Sequence, residues 1–259
     1  MDRVQRLKNK VALVTGAGQG IGRAIAVRLA QEGARVAVNG RLAHRKIQAV
    51  ARETGGISVV ADIADSIQVA RMVAAVENQL GPINILVANA AYMTMMPFLE
   101  QDPADWWKHL NVNLTGHLSC IHAVVPGMRR LGGGNIIIIS SIFGIEGWKN
   151  ASAYAASKSG LTALGESLAE ELRSENIHVG IVHPGVIDTP QLQVDAKDLN
   201  LTVEEVKTVY ARDIPMGRIG DPQEVAATVA FLAAEGGPIF SGRSLQINGG
   251  QSRCSCRPG

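Results

Sequence analysis

The pentapeptide "YAASK", Tyr154 to Lys158, sets a phenol and an ammonium four residues apart with only alanine and serine between them. Residues i and i+4 of a helix share a face, so the two polar heads meet over a surface cleared of bulk. A free phenol titrates near pH ~10, too high for proton exchange near neutrality. A cation about 4 Å from a phenolate, at an effective dielectric of about 20, interacts by roughly 4 kcal/mol. That suffices to move a pKa by about two or three units, at about 1.4 kcal/mol each. Lys158 is therefore expected to lower the pKa of Tyr154 and make it a general acid/base. A partly exposed amphipathic helix produces the same spacing, so the choice rests on what accompanies it.

A second stretch, "TGAGQGIG" (Thr15–Gly22), joins an apolar run to a helical pattern. Gly16 can make the tight turn, while Gly20 and Gly22 let the backbone approach a phosphate and the helix pack closely on the strand. A helix N-terminus there offers free N–H groups and positive partial charge to a pyrophosphate. The spacing is G-x-x-x-G-x-G, not the common G-x-G-x-x-G, and a plain tight turn is the competing reading.

The elements that must position these groups alternate along the whole chain. Apolar runs at Val11–Gly16, Ala34–Gly40, Ile57–Asp62, Ile83–Ala90, Gly134–Ser141, Ile177–Gly185 and Arg243–Gly249 read as seven strands. Helical patterns separate them, the longest near Pro103–Arg130 and Ala153–Ser174. Nearly continuous apolar strands with helical crossovers imply an α/β fold whose parallel sheet is covered on both faces. One domain is expected over 1–259, with its core at 8–250, a substrate lid at about 189–219 and a disordered tail at 252–259. The 259 residues carry a net charge of +2 and 46% hydrophobic side chains, and no Lys/Arg run suggests a nucleic-acid stripe. The polar opening "MDRVQRLKNK" and the lack of a ~20-residue apolar window lead to the expectation of a cytoplasmic protein without a membrane span. Cys120, Cys254 and Cys256 form neither a disulfide framework nor a zinc site, so no metal is expected.

"TGAGQGIG", "VANAA", "NVNLTG", "SSIFG", "YAASK" and "HPGVIDTP" occur in that order, with Ser141 thirteen residues before Tyr154. Together, over roughly residues 8–250, they resemble the short-chain dehydrogenase/reductase family. The resemblance implies a single Rossmann-type doubly wound domain with strand order 3-2-1-4-5-6-7. It implies that Tyr154 exchanges a proton with the substrate oxygen while the nicotinamide exchanges hydride. Lys158 would also bind the nicotinamide ribose, Ser141 would orient the substrate carbonyl, and Asn113 would hold a water in the proton relay. Ser140 competes with Ser141, and Asn111 with Asn113; the N-L-x-G context favours Asn113. The cofactor residues so implied are Gly16, Gln19, Gly20, Ile21, Gly22, Arg41, Asp62, Ile63, Asn89, Ala90, Tyr154, Lys158, Pro184, Gly185, Ile187 and Thr189. The family's "NNAG" appears as "ANAA", so Ala91 adds one methyl beside the cofactor ribose.

In "VNGR", Gly40 stands where an NAD-specific relative carries an acid, and Arg41 follows. A guanidinium without a carboxylate favours NADP over NAD. Gln19 occupies a position where many NADP-using relatives carry a cation, and Arg45 or Lys46 is expected to compensate. The substrate is expected to be a small carbonyl compound or secondary alcohol, with Met93, Met95, Met96, Phe143, Ile145, Trp148 and Leu192 around it; Glu146 is a further candidate contact. Two other readings stay open, NAD-dependent oxidation of a sugar acid or polyol and a non-catalytic dinucleotide sensor. Some relatives are 3-oxoacyl-acyl-carrier-protein reductases; Arg129 and Arg130 suit an acidic carrier, but Glu175 stands where a second arginine is expected. Leu161, Leu164, Leu168 and Leu172 stripe the helix after Lys158, and the resemblance implies a homotetramer or homodimer.

Overall fold

A computed structural model describes residues 5–42 and 45–251. The tail 252–259, with Cys254 and Cys256, lies outside the described residues. Seven strands form: β1 (Val11–Val14), β2 (Arg35–Gly40), β3 (Ile57–Val60), β4 (Ile85–Ala88), β5 (Gly134–Ile139), β6 (Ile177–Pro184) and β7 (Ser244–Ile247). They make one parallel sheet in the order β3-β2-β1-β4-β5-β6-β7. This is the Rossmann-type doubly wound arrangement expected from the resemblance. β1 and β4 are buried at every residue, as strands with both faces covered must be.

Helices α1 (Gly20–Gln31), α2 (Arg45–Thr54) and α9 (Pro222–Ala233) cover one face. There Ile25, Leu29, Val50, Val225, Val229 and Leu232 join the inward side chains of β1, β2 and β6. Helix α3 (Ser66–Leu80) and the helices after β4 and β5 cover the other, where Val69, Met72, Val76, Ile121, Val124 and Leu161 meet alternate side chains of the same strands. The expected helix at Pro103–Arg130 is unbroken but not uniform. It runs as α4 (Pro103–Leu110), a π-helical turn (Asn111–Thr115) and α5 (Gly116–Arg130). The wider turn directs Asn113 inward, fully buried, and leaves Asn111 exposed.

The stretch 189–219, where strand–helix alternation fails, holds α7 (Gln191–Leu199) and α8 (Val203–Ala211). They pack on each other through a separate cluster of Leu192, Ala196, Val206, Ile214 and Ile219. Among the described residues no helix is long and apolar enough to cross a membrane.

Helix α6 (Ser152–Leu172) carries Tyr154 and Lys158 and lies close on the sheet. Its leucine stripe divides, with Leu161 and Leu172 in the core and Leu164 and Leu168 only partly buried. The close approach depends on Gly165, where an added Cβ would sit 2.7 Å from Cγ1 of Ile181 and 3.2 Å from Cδ1 of Ile138. Gly165→Val should therefore destabilise the fold by about 1–3 kcal/mol, since packed interiors resist extra methyl groups. Urea unfolding at matched m-values measures this, and an unchanged midpoint would show that α6 stands off the sheet.

Candidate active site

The sheet order reverses between β1 and β4, and the carboxyl ends of β1, β4, β5 and β6 open there into one crevice. The crevice encloses about 270 Å³ and is lined by Ile21, Asn89, Ser141, Tyr154, Lys158, Pro184, Gly185, Ile187 and Thr189 among others. Residues spread over more than 160 positions of sequence thus meet in one cleft. Met93, Met95, Phe143, Trp148 and Leu192 also line it, whereas the expected pocket residues Met96 and Ile145 are solvent-exposed and do not.

Ser141 stands two residues past the end of β5 and caps a 3-10 turn (Ile142–Gly144) by accepting from the Phe143 N–H at 3.1 Å. Capping and facing the cleft are compatible, because the same hydroxyl also reaches the Tyr154 phenol. Ser140 also lines the cleft, but its hydroxyl is spent on the Lys158 carbonyl, to which it donates at 2.9 Å. His183, on β6, holds the loop from beneath. Its Nδ1 donates to the Ser141 carbonyl at 2.9 Å, and its Nε2 accepts from the Ser244 hydroxyl at 3.0 Å.

Lys158 is 1% exposed, and its Nζ donates to the Ile139 carbonyl at 2.8 Å. The ammonium lies 5.7 Å from the centre of the Tyr154 ring. Tyr154 keeps part of its surface open to the cleft, but the protein packed around its hydroxyl removes water from it. Burial pushes the phenol up to about 12, opposed by the Ser141 hydroxyl, and burial pulls the Lys158 ammonium down to about 7. The lowering of the phenol pKa expected from the sequence is thus reversed in the protein alone. Desolvation sets the direction for both groups, opposed at the phenol by the Ser141 hydroxyl.

Behind Tyr154 stands a polar brace. Tyr92 and Thr94 donate hydroxyl hydrogen bonds to Asp105 at 2.5 Å each, and Gln101 donates at 2.8 Å. Burial works against the Asp105 carboxylate, but these three donors win and hold it down at about 2. His109 accepts at Nε2 from the Thr94 N–H at 3.2 Å, and its ring meets Tyr154 edge-on at 6.3 Å. Asn113 does not line the cleft. Its Oδ1 accepts from the Tyr92 N–H at 2.7 Å, and its Nδ2 donates to the Tyr92 carbonyl and the Ser157 hydroxyl. Every side-chain polar atom of Asn113 is engaged, so its visible work is to tie the Tyr92 segment to α6.

The glycine loop is shaped to receive a dinucleotide. Gly16 has φ +64° and Gly20 φ +55°, and a Cβ on Gly22 would lie 2.5 Å from Nδ2 of Asn89. Gln19 provides no side-chain cap to α1, and no acid stands in its first turn. The first N–H groups of α1 are thereby left for an anion, whereas α3, α4, α8 and α9 are capped by Asp65, Asp102, Thr202 and Asp221. A pyrophosphate fits this cradle. A Cβ on Gly20 would meet Cγ2 of Thr189 at 3.4 Å, so the loop also borders the α7 segment.

At the far side of the loop, Arg41 is exposed and forms no ion pair among the described residues. Arg45 is exposed too, and the Lys46 ammonium rests on Oε1 of Gln19 at 2.5 Å. Asp62 accepts from the Ala64 N–H at 3.0 Å and is not a helix cap, that role falling to Asp65. Ile63 turns its side chain into the core against Gly116. Ala90 donates its N–H to the Thr15 hydroxyl and accepts from His117, whose imidazole is kept neutral by burial with a pKa of about 3.

Two residues that hold this cradle escape a motif reading. Thr15 accepts at its hydroxyl from the Asn89 and Ala90 N–H groups, clamping the ends of β1 and β4 together. Asn39, 1% exposed, accepts the Gly16 N–H and donates to the Ala61 carbonyl. Their signal in the sequence is a polar residue ending an otherwise apolar strand.

Lys158 makes the stability of the cofactor-free protein depend on pH. Between about 7 and the ordinary value of 10.5, the unfolded chain binds a proton at this site that the folded chain does not. Stability contributed here therefore rises with pH from about 7 and is lost as pH falls back, at up to about 1.4 kcal/mol per pH unit. The unfolding free energy of wild type minus that of Lys158→Met should rise from pH 7 to 9.5. A constant difference would mean that the buried ammonium stays charged throughout.

The profile of the family described as enoyl-(acyl carrier protein) reductase matches residues 16–252. The chain is 35% identical to the 3-oxoacyl-(acyl-carrier-protein) reductase FabG of Thermotoga maritima over 250 residues, covering 95% of this chain and 98% of the relative. It is 36% identical to the acetoacetyl-CoA reductase of Rhizobium meliloti over 244 residues, 94% of this chain and 98% of that one. The crystal structure of levodione reductase superposes with a TM-score of 0.91 at 30% identity, covering 96% of this chain and 99% of that one. With the sheet order and the joint cleft, these likenesses establish that the chain belongs to the short-chain dehydrogenase/reductase family of oxidoreductases.

Proposed function

We propose that the protein is an NADP-dependent carbonyl reductase/alcohol dehydrogenase in which Tyr154 moves the proton. The observation that carries this reading is the meeting of Ser141, Tyr154 and Lys158 in the crevice beside the uncapped glycine loop. A bound nicotinamide dinucleotide would supply the hydride. Its pyrophosphate would lie on the N–H groups at Gly20–Gly22, and Asn89, Pro184, Gly185, Ile187 and Thr189 would contact the rest. The protein's own work is then to place a carbonyl and protonate its oxygen. Ser141 donates a hydrogen bond to that oxygen, and Tyr154 delivers the proton. A phenol held at about 12 keeps its proton at neutral pH, which favours donation and so the reductive direction. Lys158, held near 7, is a second titratable group lining the same cleft.

Support for NADP comes from the charges near the end of β2. Arg41 is free to turn toward a 2′-phosphate, Gly40 leaves no carboxylate to repel one, and Lys46 brings a second cation onto Gln19. The relatives' names point to reduction of a 3-oxoacyl thioester, and that class remains among the substrates to assay. A carrier-docking role for Arg129 is weakened, since Glu175 pairs with it through both carboxylate oxygens. Arg130 is likewise turned toward Glu77 at 3.3 Å.

Tyr154→Phe should lower kcat/KM for ketone reduction by about 10³-fold and leave the Kd for NADPH within about threefold. Near-normal turnover would remove Tyr154 from the chemistry, and a lost affinity would make its role structural. Arg41→Ala should weaken NADPH by about 10- to 100-fold and leave NADH unchanged. If wild type instead prefers NADH, or if the variant keeps its NADPH affinity, NAD-dependent oxidation of a secondary alcohol, sugar acid or polyol replaces this reading. A protein that binds dinucleotide and turns over no ketone or alcohol would be a sensor.

A further inference from the structure

The cleft lining is chemically mixed. Phe143 and Trp148 give it an aromatic surface, the two rings stacked 4.6 Å apart at 15°. From α7 and α8 come Gln191, Asp195 and Tyr210, all three lining it. Gln191 and Asp195 stand one turn apart on α7, and Gln191 Nε2 donates to Oδ1 of Asp195 at 3.0 Å. Tyr210, from α8, donates its hydroxyl to Oδ2 at 3.2 Å. Each carboxylate oxygen thus accepts one hydrogen bond from a neutral donor and keeps a second lone pair for a ligand. The phenol remains a donor, because burial and the neighbouring Asp195 and Asp198 carboxylates push it up to about 12.

Asp195 is the only carboxylate lining the cleft among the described residues, and no cation pairs with it there. The nearby acid Asp188 is different, since Lys207 neutralises it at 2.9 Å. Lys158, the only cation lining the cleft, is committed to the Ile139 carbonyl. A carboxylate held in fixed geometry by two neutral donors, with no cation paired to it, keeps acceptor capacity that a ligand's hydrogen-bond donor can fill. Partly buried anions of this kind are stabilised by the ligand that completes them.

We propose that Asp195, positioned by Gln191 and Tyr210, is the substrate-specificity group of the cleft. It selects carbonyl compounds that carry a hydrogen-bond donor, a hydroxyl or an ammonium, away from the reacting carbonyl, and it rejects those carrying an anion there. This inference rests on the carbonyl-reductase reading and names the substrate class for the same site.

The test uses the full chain with NADPH and methyl ketones of four to eight carbons ending in methyl, hydroxyl, ammonium or carboxylate. At the best chain length, wild type should show kcat/KM higher for the hydroxyl- or ammonium-ended ketone than for the methyl-ended one, on the order of 10- to 100-fold. The two arms tell which donor is used. The carboxylate-ended ketone should be the poorest of the four. Asp195→Ala should bring the donor-to-methyl ratio to about one. Asp195→Asn keeps an acceptor but not the charge, so it should retain part of a hydroxyl preference, erase an ammonium preference and lift the penalty on the carboxylate. Tyr210→Phe should raise KM for the donor-ended ketone more than it lowers kcat. Ratios are taken within each variant, so general damage cancels, and Asp195→Asn decides should Asp195→Ala fail to fold. A wild-type ratio near one, or one unchanged in the Asp195 variants, overturns this inference alone. No turnover of any ketone, with NADPH bound, overturns the reductase reading and this one with it.

Discussion

A buried ammonium on the Ile139 carbonyl is the interaction around which the site is built. Taking the charged form of Lys158 out of water is costly, and one carbonyl repays only part of that cost. The ammonium can be there only because α6 lies hard against β5 and β6. That approach is set by Gly165 and by Ser140, whose hydroxyl ties the strand end to the Lys158 carbonyl. The same packing places Tyr154 against Ser141, since both flank the strand end that Lys158 grips. His183 completes the support from β6. Proton chemistry and helix–sheet packing are here one problem, since the burial that packs α6 on the sheet also shifts both groups away from their charged forms.

The dinucleotide end obeys a different constraint. Anion binding by backbone N–H groups needs the groups left unpaired, yet a loop with unpaired groups has little to hold it in shape. The structure answers with polar side chains at the strand ends. Thr15 takes the N–H groups after β4, Asn89 returns its amide to the Thr15 carbonyl at 2.8 Å, and Asn39 takes the N–H of Gly16. These bonds fix the loop from beneath, so its outer face stays free. The glycines remove side chains that would clash, and the clamps supply the order that glycine lacks.

The α7–α8 segment follows a third logic. Its apolar cluster is separate from the two that flank the sheet, and it meets the body at the Ile187–Gly220 pairing and through the Met216 N–H on the Gly249 carbonyl at 3.0 Å. It brings Leu192, Asp195 and Tyr210 to the cleft. The proposed proton-transfer groups thus sit on the strand ends and on α6, and the proposed selectivity group on a segment with a core of its own.

Much of this was legible in the residues. Apolar runs bounded by glycine and asparagine located seven strands to within a few residues, because strands buried on both faces leave a continuous signature. The order of motifs led to Ser141, Tyr154 and Lys158, and the N-L-x-G context chose Asn113 over Asn111, the one the structure buries. The clamps Thr15 and Asn39 were only faintly legible, since a polar residue ending an apolar strand names no partner until the fold supplies one. Met96 and Ile145 were placed in the cleft on hydrophobicity alone, and the chain path turned them outward.

The sequence by itself determined the order of elements, the residue types at the strand ends and the spacing that puts Tyr154 and Lys158 on one helix face. Those follow from periodicity and local sterics, which act over a few residues. Only the tertiary structure decided the signs of the two pKa shifts, the partners of Arg129 and Lys46, and the arrival of Asp195 and Tyr210 in the same cleft as Tyr154. Each depends on how much water is excluded and on which distant group stands within about 3 Å, the range over which hydrogen bonds act. Neither quantity is written in any short stretch of chain.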